Sequence, residues 1–323
     1  MIVWTNKMLR RTLPFLVSGA ALFYLFARID LRVALDYFTL PVLLGFLGPL
    51  LLFSLATLAI EAWCLHRIAA ATPSAAPLSW LTAARIKLAC YLLGVLHYAL
   101  GAGGVSVLLR RRTGVSLADA IGMVFVITLF DMGSVLLWAG LGGALQPETA
   151  GFLRFGVIGA LLAAILAGFA FLRAPLTIGP LEPLRELPIL GAARTLPLPL
   201  LTEIGFLRLI FVGCFVVLVR ALFVCFDVEA GWLELAVKVG VMLVVSALPL
   251  AAGGLGTGQL VFVELFAGSA TEAKLLAMSV LLSVALIISR AMLGLLFASE
   301  FAREAYAVSR ADEPAEPEGE RVG

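Results

Sequence analysis

Charge is scarce in this chain. Only 14% of its 323 residues are charged and 62% are apolar, where an ordinary soluble domain has about 25% charged and roughly 45–50% apolar residues. A single soluble globule is excluded, because cores stop growing near about 250–300 residues and could not hide so many apolar side chains. Cysteine and histidine are scarce too. Cys64, Cys90, Cys214 and Cys225 show no C-x-x-C spacing and read as small apolar packing residues. Cys214 and Cys225 would lie roughly 16 Å apart along one helix, too far for a disulfide. His66 and His97 stand alone, with no metal-ligand spacing around either. H-E-x-x-H, G-x-S-x-G and P-loop patterns are absent, so the expectation is a chain that is not an enzyme and uses no metal or cofactor. A net charge of +2 without a basic stripe gives no reason to expect nucleic acid as a partner.

What the chain does have is long apolar runs. A bilayer core needs about 20 apolar residues per helix. Seven runs qualify or nearly so: 12–28, 40–60, 116–141, 152–172, 204–226, 232–250 and 274–298. The first follows Lys7, Arg10 and Arg11 without a small-residue cleavage site, and reads as an uncleaved signal anchor. Two further stretches, 88–109 and 251–268, are interrupted by glycine. Lysine and arginine collect at the N-terminus and in the 61–87 and 173–203 loops, which puts those on the cytoplasmic side. Arg110, Arg111 and Arg112 follow 88–109 directly. A full crossing would place them outside; a segment that enters and returns, with GAGG at 101–104 as its apex or helix break, keeps them inside. The charge rule favours the second path.

LGAGGVS at 100–106 aligns with LAAGGLG at 250–256 at four of seven positions. Each is followed by a helix-start signal, Ser116 with Asp119 and Ser269 with Glu272, and then by a long span. The pattern predicts a two-fold internal repeat, its first half about 1–172 and its second about 204–300. The proline-rich linker 173–203 joins them along the interface, and the acidic tail 311–323 is expected to be disordered. Paired interrupted segments point to a binding site near the midplane.

The few intramembrane charges are the candidate site residues, since such charges usually face a bundle interior or a cavity. Asp131 lies in VITLFDMGS and Arg290 in LIISRAML. They are expected either to pair with each other or to leave Arg290 for an anionic group. Arg208 and Arg220 fall about 120° apart on one helix, so they do not form one site, and each is read either as snorkelling toward a helix end or as binding phosphate. Glu234 and Lys238 have the favourable i, i+4 order for a pair. Gly253, Gly254 and Gly256 would let backbone amides approach an anion, with Thr257, Gln259 and Glu264 beside them; Gly103 and Gly104 would do the same in the first half.

These stretches, together with EAWCLHRI at 61–68 and GAGGVSVLLRRRTGVSLADA at 101–120, resemble the lysylphosphatidylglycerol synthase transmembrane region, a flippase-like integral membrane family, over roughly residues 10–300. The chain departs from the family pattern at AGGVS, which lacks its proline and glutamate, and at Gln259, which stands where that family usually has glutamate. The resemblance implies lipid translocation between leaflets.

The expectation is therefore an all-α polytopic membrane protein of about eight spans with one or two re-entrant segments, forming one membrane domain over 1–310. It would sit in a bacterial inner membrane with both termini cytoplasmic. The expected partner is a membrane lipid with an anionic or phosphate-bearing headgroup, bound by Asp131, Arg290 and the Arg110–Arg112 cluster. A non-transporting partner subunit of a lipid-synthesis pathway and an ion-coupled carrier of a small solute are the competing readings.

Overall fold

A computed structural model describes residues 23–25, 27–96, 98–145, 152–174, 182–247 and 256–311. Every regular element among them is helical. They are α1 (Leu31–Leu35), α2 (Leu40–Ala70), α3 (Trp80–Leu96), α4 (Tyr98–Thr113), α5 (Leu117–Leu145), α6 (Phe152–Arg173), α7 (Glu182–Arg185), α8 (Gly191–Thr195), α9 (Leu198–Cys225), α10 (Trp232–Ala247), α11 (Thr257–Leu265) and α12 (Glu272–Ala311). A short 3₁₀ turn, Pro188–Leu190, precedes α8.

Among the described residues, four helices carry segments long and apolar enough to cross a membrane: Leu40–Ala70, Leu117–Gly140, Leu198–Cys225 and Glu272–Phe297. Their outer faces present Leu44, Leu52, Phe206, Val217, Met292 and Leu296, all exposed. A soluble bundle would bury such residues; lipid makes their exposure favourable. The protein is thus a multi-pass membrane bundle.

Among the described residues, then, four segments qualify as crossings and not the expected eight. Run 12–28 lies mostly outside the described residues. The 88–109 stretch belongs to α3 and α4, and 232–250 contributes α10; at 17, 16 and 16 residues these helices are about 24–26 Å long, short of a hydrocarbon core of about 30 Å. α6 runs over 22 residues, of which Ile158–Arg173 is the apolar part counted among the described side chains.

α3 and α4 form an antiparallel hairpin. At its open end the Ala76 amide donates to the Thr113 carbonyl over 2.8 Å. At its closed end Gly94 and Gly101 touch backbone to backbone, so that a Cβ on Gly101 would stand 2.8 Å from Gly94 Cα. The expected break at GAGG is not there: 101–104 lie inside α4. Glycine is tolerated within helices that pack closely in lipid, and here Gly101 supplies a close approach instead of an interruption.

The main packing partners cross between the two ends of the sequence. α3 lies along α12 and α10 along α5, while α2 packs on α9. Two apolar cores result. One joins the second half of α2 to α3, α4, the start of α5 and the 193–204 region. The other joins the first half of α2 to the second half of α9, α10, α11 and the start of α12.

The bundle has two chemically different poles. At one, Arg67 Nη2 pairs with Glu203 at 2.7 Å, and Trp63 Nε1 donates to the same carboxylate at 2.8 Å. Arg173 donates to the Ala193 carbonyl at 3.1 Å, which ties α6 to the linker. At the other, Arg28 pairs with Glu264 at 3.1 Å and also with Glu272, and Lys274 donates to the Asp227 carbonyl at 3.4 Å.

Candidate functional site

α2 runs on without a break to Ala70, and so carries Ser54, Thr57 and Glu61 on one face at steps of three and four residues. That face meets Lys87 and Tyr91, one turn apart on α3. Lys87 Nζ lies 3.4 Å from Glu61 Oε1, and the Tyr91 hydroxyl donates to Glu61 Oε2 over 2.7 Å. Both members of the ion pair are well buried, at 13% and 17% exposed. Each Glu61 oxygen thus faces a donor, the condition for keeping a carboxylate in a low-dielectric interior.

A second pair adjoins the first. Arg208, from α9, is 1% exposed, and its Nη1 lies 3.1 Å from Asp131 Oδ1 on α5. The guanidinium also stacks over Phe211, 5.2 Å from the ring centre. Its charge acts on Glu61 as well as on Asp131, and the Cys64 thiol lies beside it. Arg208 begins about 15 Å from the start of its helix, because α9 starts at Leu198 and not near 204.

The third feature is a recess of about 10 Å³, room for one water, between α2, α3 and α12, with Ser54, Thr57, Tyr91, Ser289 and Arg290 on its polar side and Phe53, Leu286 and Leu293 on its apolar one. The Ser54 and Ser289 hydroxyls lie 2.8 Å apart across it. Tyr91 connects this recess to Glu61, and the Arg290 charge is felt there. Arg290 itself is exposed, on a helix whose neighbouring outward residues, Ile288 and Met292, are apolar.

The expected partner of Asp131 is therefore corrected: it is Arg208, because α5 packs on α9. Snorkelling is likewise wrong for Arg208, which is fully buried. Arg220 does lie near a helix end, donating to the Ala230 carbonyl at 3.0 Å. Glu234 and Lys238 pair as expected, at 2.5 Å. Arg110, Arg111 and Arg112 are exposed at the end of α4, and Asp131 stands about 21 Å along α5 from its start, so the structure does not bring the triplet to the buried charges. Gly103 and Gly104 are ordinary positions within α4. Gly253 and Gly254 lie outside the described residues.

Gly256 and Gln259 have a local task. Gly256 has φ of +90°, a backbone conformation that suits glycine, and its amide donates to Gln259 Oε1 over 2.5 Å. Buried Gln259 also donates to Ser283 Oγ at 3.0 Å, fastening the start of α11 to α12. Glu264 belongs to the opposite pole, with Arg28.

Glu61, Lys87 and Tyr91 are site residues the sequence did not single out, and Arg208 is one it placed at the interface. The signal available for the first was the lack of any proline or glycine between 61 and 70, which lets the second span continue as helix and carries Glu61 inside it.

The cluster gathers three cations, Lys87, Arg208 and Arg290, around two carboxylates, Glu61 and Asp131. Such a site can hold an anion at its open edge without exposing the buried pairs. A scan against protein-family models finds no match for this chain, and a search of curated proteins finds none either.

Proposed function

We propose that this protein is a lipid flippase or lipid transporter of a bacterial inner membrane, moving a lipid with an anionic or phosphate-bearing headgroup between leaflets without making or breaking a covalent bond. The observation that carries the reading is Arg290, an exposed arginine within an apolar, outward-facing helix, beside a water-sized recess between α2, α3 and α12. Arginine in lipid is costly, and a bound phosphate would compensate it.

Three further features support the same reading. The α3–α4 hairpin, with both outer ends at one pole, fits a segment that enters the bilayer and returns. The pairing of α3 with α12 and of α10 with α5 is compatible with two intertwined halves, the arrangement in which a transporter site sits between them. The pole carrying Arg67, Arg110 to Arg112, Arg173, Arg185 and Arg194 fits the cytoplasmic side, and the pole carrying Asp30, Asp36, Asp227, Glu229, Glu264 and Glu272 fits the outside. Together with the resemblance to the flippase-like family, these features favour a lipid substrate.

The test is transbilayer movement of fluorescent phosphatidylglycerol in proteoliposomes. The full chain should move the lipid, and Arg290→Ala should slow it at least tenfold. Equal rates in protein-free vesicles and with the full chain would overturn the reading.

A further inference from the structure

We infer that the exposed Arg290, at the edge of the charge cluster, selects headgroups bearing a single negative charge, of the phosphodiester class, over zwitterions and doubly charged phosphomonoesters. This deepens the lipid-transport reading and rests on it. The argument is a charge count in a medium that cannot screen. Among the described residues, Lys87 is paired with Glu61 and Arg208 with Asp131. Arg290 is left as the cation with no carboxylate at ion-pair distance. The five charges therefore sum to +1, from three cations and two anions.

One negative charge at Arg290 brings the whole site to neutrality. A second has no cation to meet, and faces Glu61 through Tyr91 instead. In an interior of low dielectric that repulsion is far stronger than in water. A zwitterion fares no better, because its ammonium group would need an unengaged carboxylate. Glu61 already accepts from Lys87 and Tyr91, and Asp131 lies beside Arg208.

Geometry favours a lipid as the source of the phosphodiester. Arg290 lies about 27 Å along α12 from Glu272 and about 10 Å short of Phe297, within the apolar span Glu272–Phe297. Its position is level with hydrocarbon near the basic pole. The neighbouring hydroxyls are already engaged, Tyr91 with Glu61 and Ser54 with the Leu50 carbonyl and Ser289, which leaves the Arg290 guanidinium as the group that meets the phosphate oxygens.

The experiment is competitive binding to the purified full chain in neutral detergent at pH 8. Dihexanoyl phosphatidylglycerol, phosphatidylcholine and phosphatidic acid serve as monoanion, zwitterion and dianion, and glycerophosphoglycerol as the same headgroup without chains. The expected result is phosphatidylglycerol binding about tenfold or more tighter than either of the other lipids, and tighter than the chain-free headgroup.

Three variants test the count itself. Arg290→Gln should abolish the preference. Glu61→Gln should raise the site's charge by one and shift selectivity toward phosphatidic acid. Because Glu61→Gln also removes the partner of Lys87, the double variant Glu61→Gln/Lys87→Met, which restores the sum to +1, should bring back the preference for phosphatidylglycerol.

Binding that depends on Arg290 but does not distinguish the three lipids would overturn the charge selection and leave lipid transport standing. Equal binding of glycerophosphoglycerol and the lipid would overturn the membrane source. Binding of no lipid, or binding unchanged by Arg290→Gln, would overturn the transport site and this inference with it.

Discussion

The cations of the site differ in what they hold, and that difference is testable one residue at a time. Arg208 is buried and its partner Asp131 part-buried, at 1% and 31% exposed, so Arg208→Ala leaves a part-buried carboxylate without this cation. Breaking a buried ion pair from one side costs about 3–5 kcal/mol, whereas replacing both members with apolar or neutral groups is often close to neutral. Thermal unfolding in detergent should therefore show a large loss for Arg208→Ala and recovery in Arg208→Met/Asp131→Asn. Arg290→Ala removes no partner from a carboxylate and should stay within about 0.5 kcal/mol of the parent. A comparable loss in both single variants would contradict this division between a structural and a ligand-facing arginine.

At the scale of elements, the helix crossings are set by glycines. Gly294 of α12 sits against α3, where a Cβ would stand 2.9 Å from the Leu92 amide nitrogen. Gly240 of α10 sits against α5, with a Cβ 2.7 Å from the Ala139 nitrogen. Both contacts are to backbone, which cannot rotate away as a side chain can. Gly294→Val and Gly240→Val should each destabilise by about 1–3 kcal/mol, through overpacking, and lower the melting temperature accordingly. Gly103 provides the control: it is helical and a Cβ there meets nothing within 4 Å. Gly103→Ala should leave stability unchanged or raise it by up to about 1 kcal/mol, through helix propensity.

Such contrasts show what a sequence can disclose. Local signals survive intact: Ser116 accepts from the Asp119 amide at 3.1 Å and donates to its carboxylate at 2.7 Å, as the helix-start pattern required. The second start was misplaced, because Thr271 and not Ser269 precedes α12, its hydroxyl accepting from the Lys274 amide at 3.4 Å. Asp131 and Arg290 were legible as unusual intramembrane charges. Their partners were not, because hydropathy specifies which residues are inside but not which helices adjoin. GAGG misled for a related reason: glycine permits either a break or a close approach, and only the neighbouring helix decides between them.

For the whole molecule, the distribution of charge between the poles should fix the orientation in the membrane. Basic residues near helix ends favour the cytoplasmic side, while acidic ones contribute little to the choice. Arg67, Arg173, Arg185 and Arg194 are joined to one pole by contacts that α6, α8 and α9 make there. At the other pole, Arg28 and Lys274 are outnumbered by acids and engaged in contacts with Glu264, Glu272 and the Asp227 carbonyl. Exposed Glu186 marks the basic pole and exposed Glu229 the acidic one. With Cys64, Cys90, Cys214 and Cys225 changed to alanine, single variants Glu186→Cys and Glu229→Cys can be offered a membrane-impermeant maleimide on intact spheroplasts. Glu229→Cys should react at once and Glu186→Cys only after the membrane is opened. The reverse pattern would invert the orientation and make Arg290, which lies nearer the basic pole, accessible from the outer leaflet instead of the inner one.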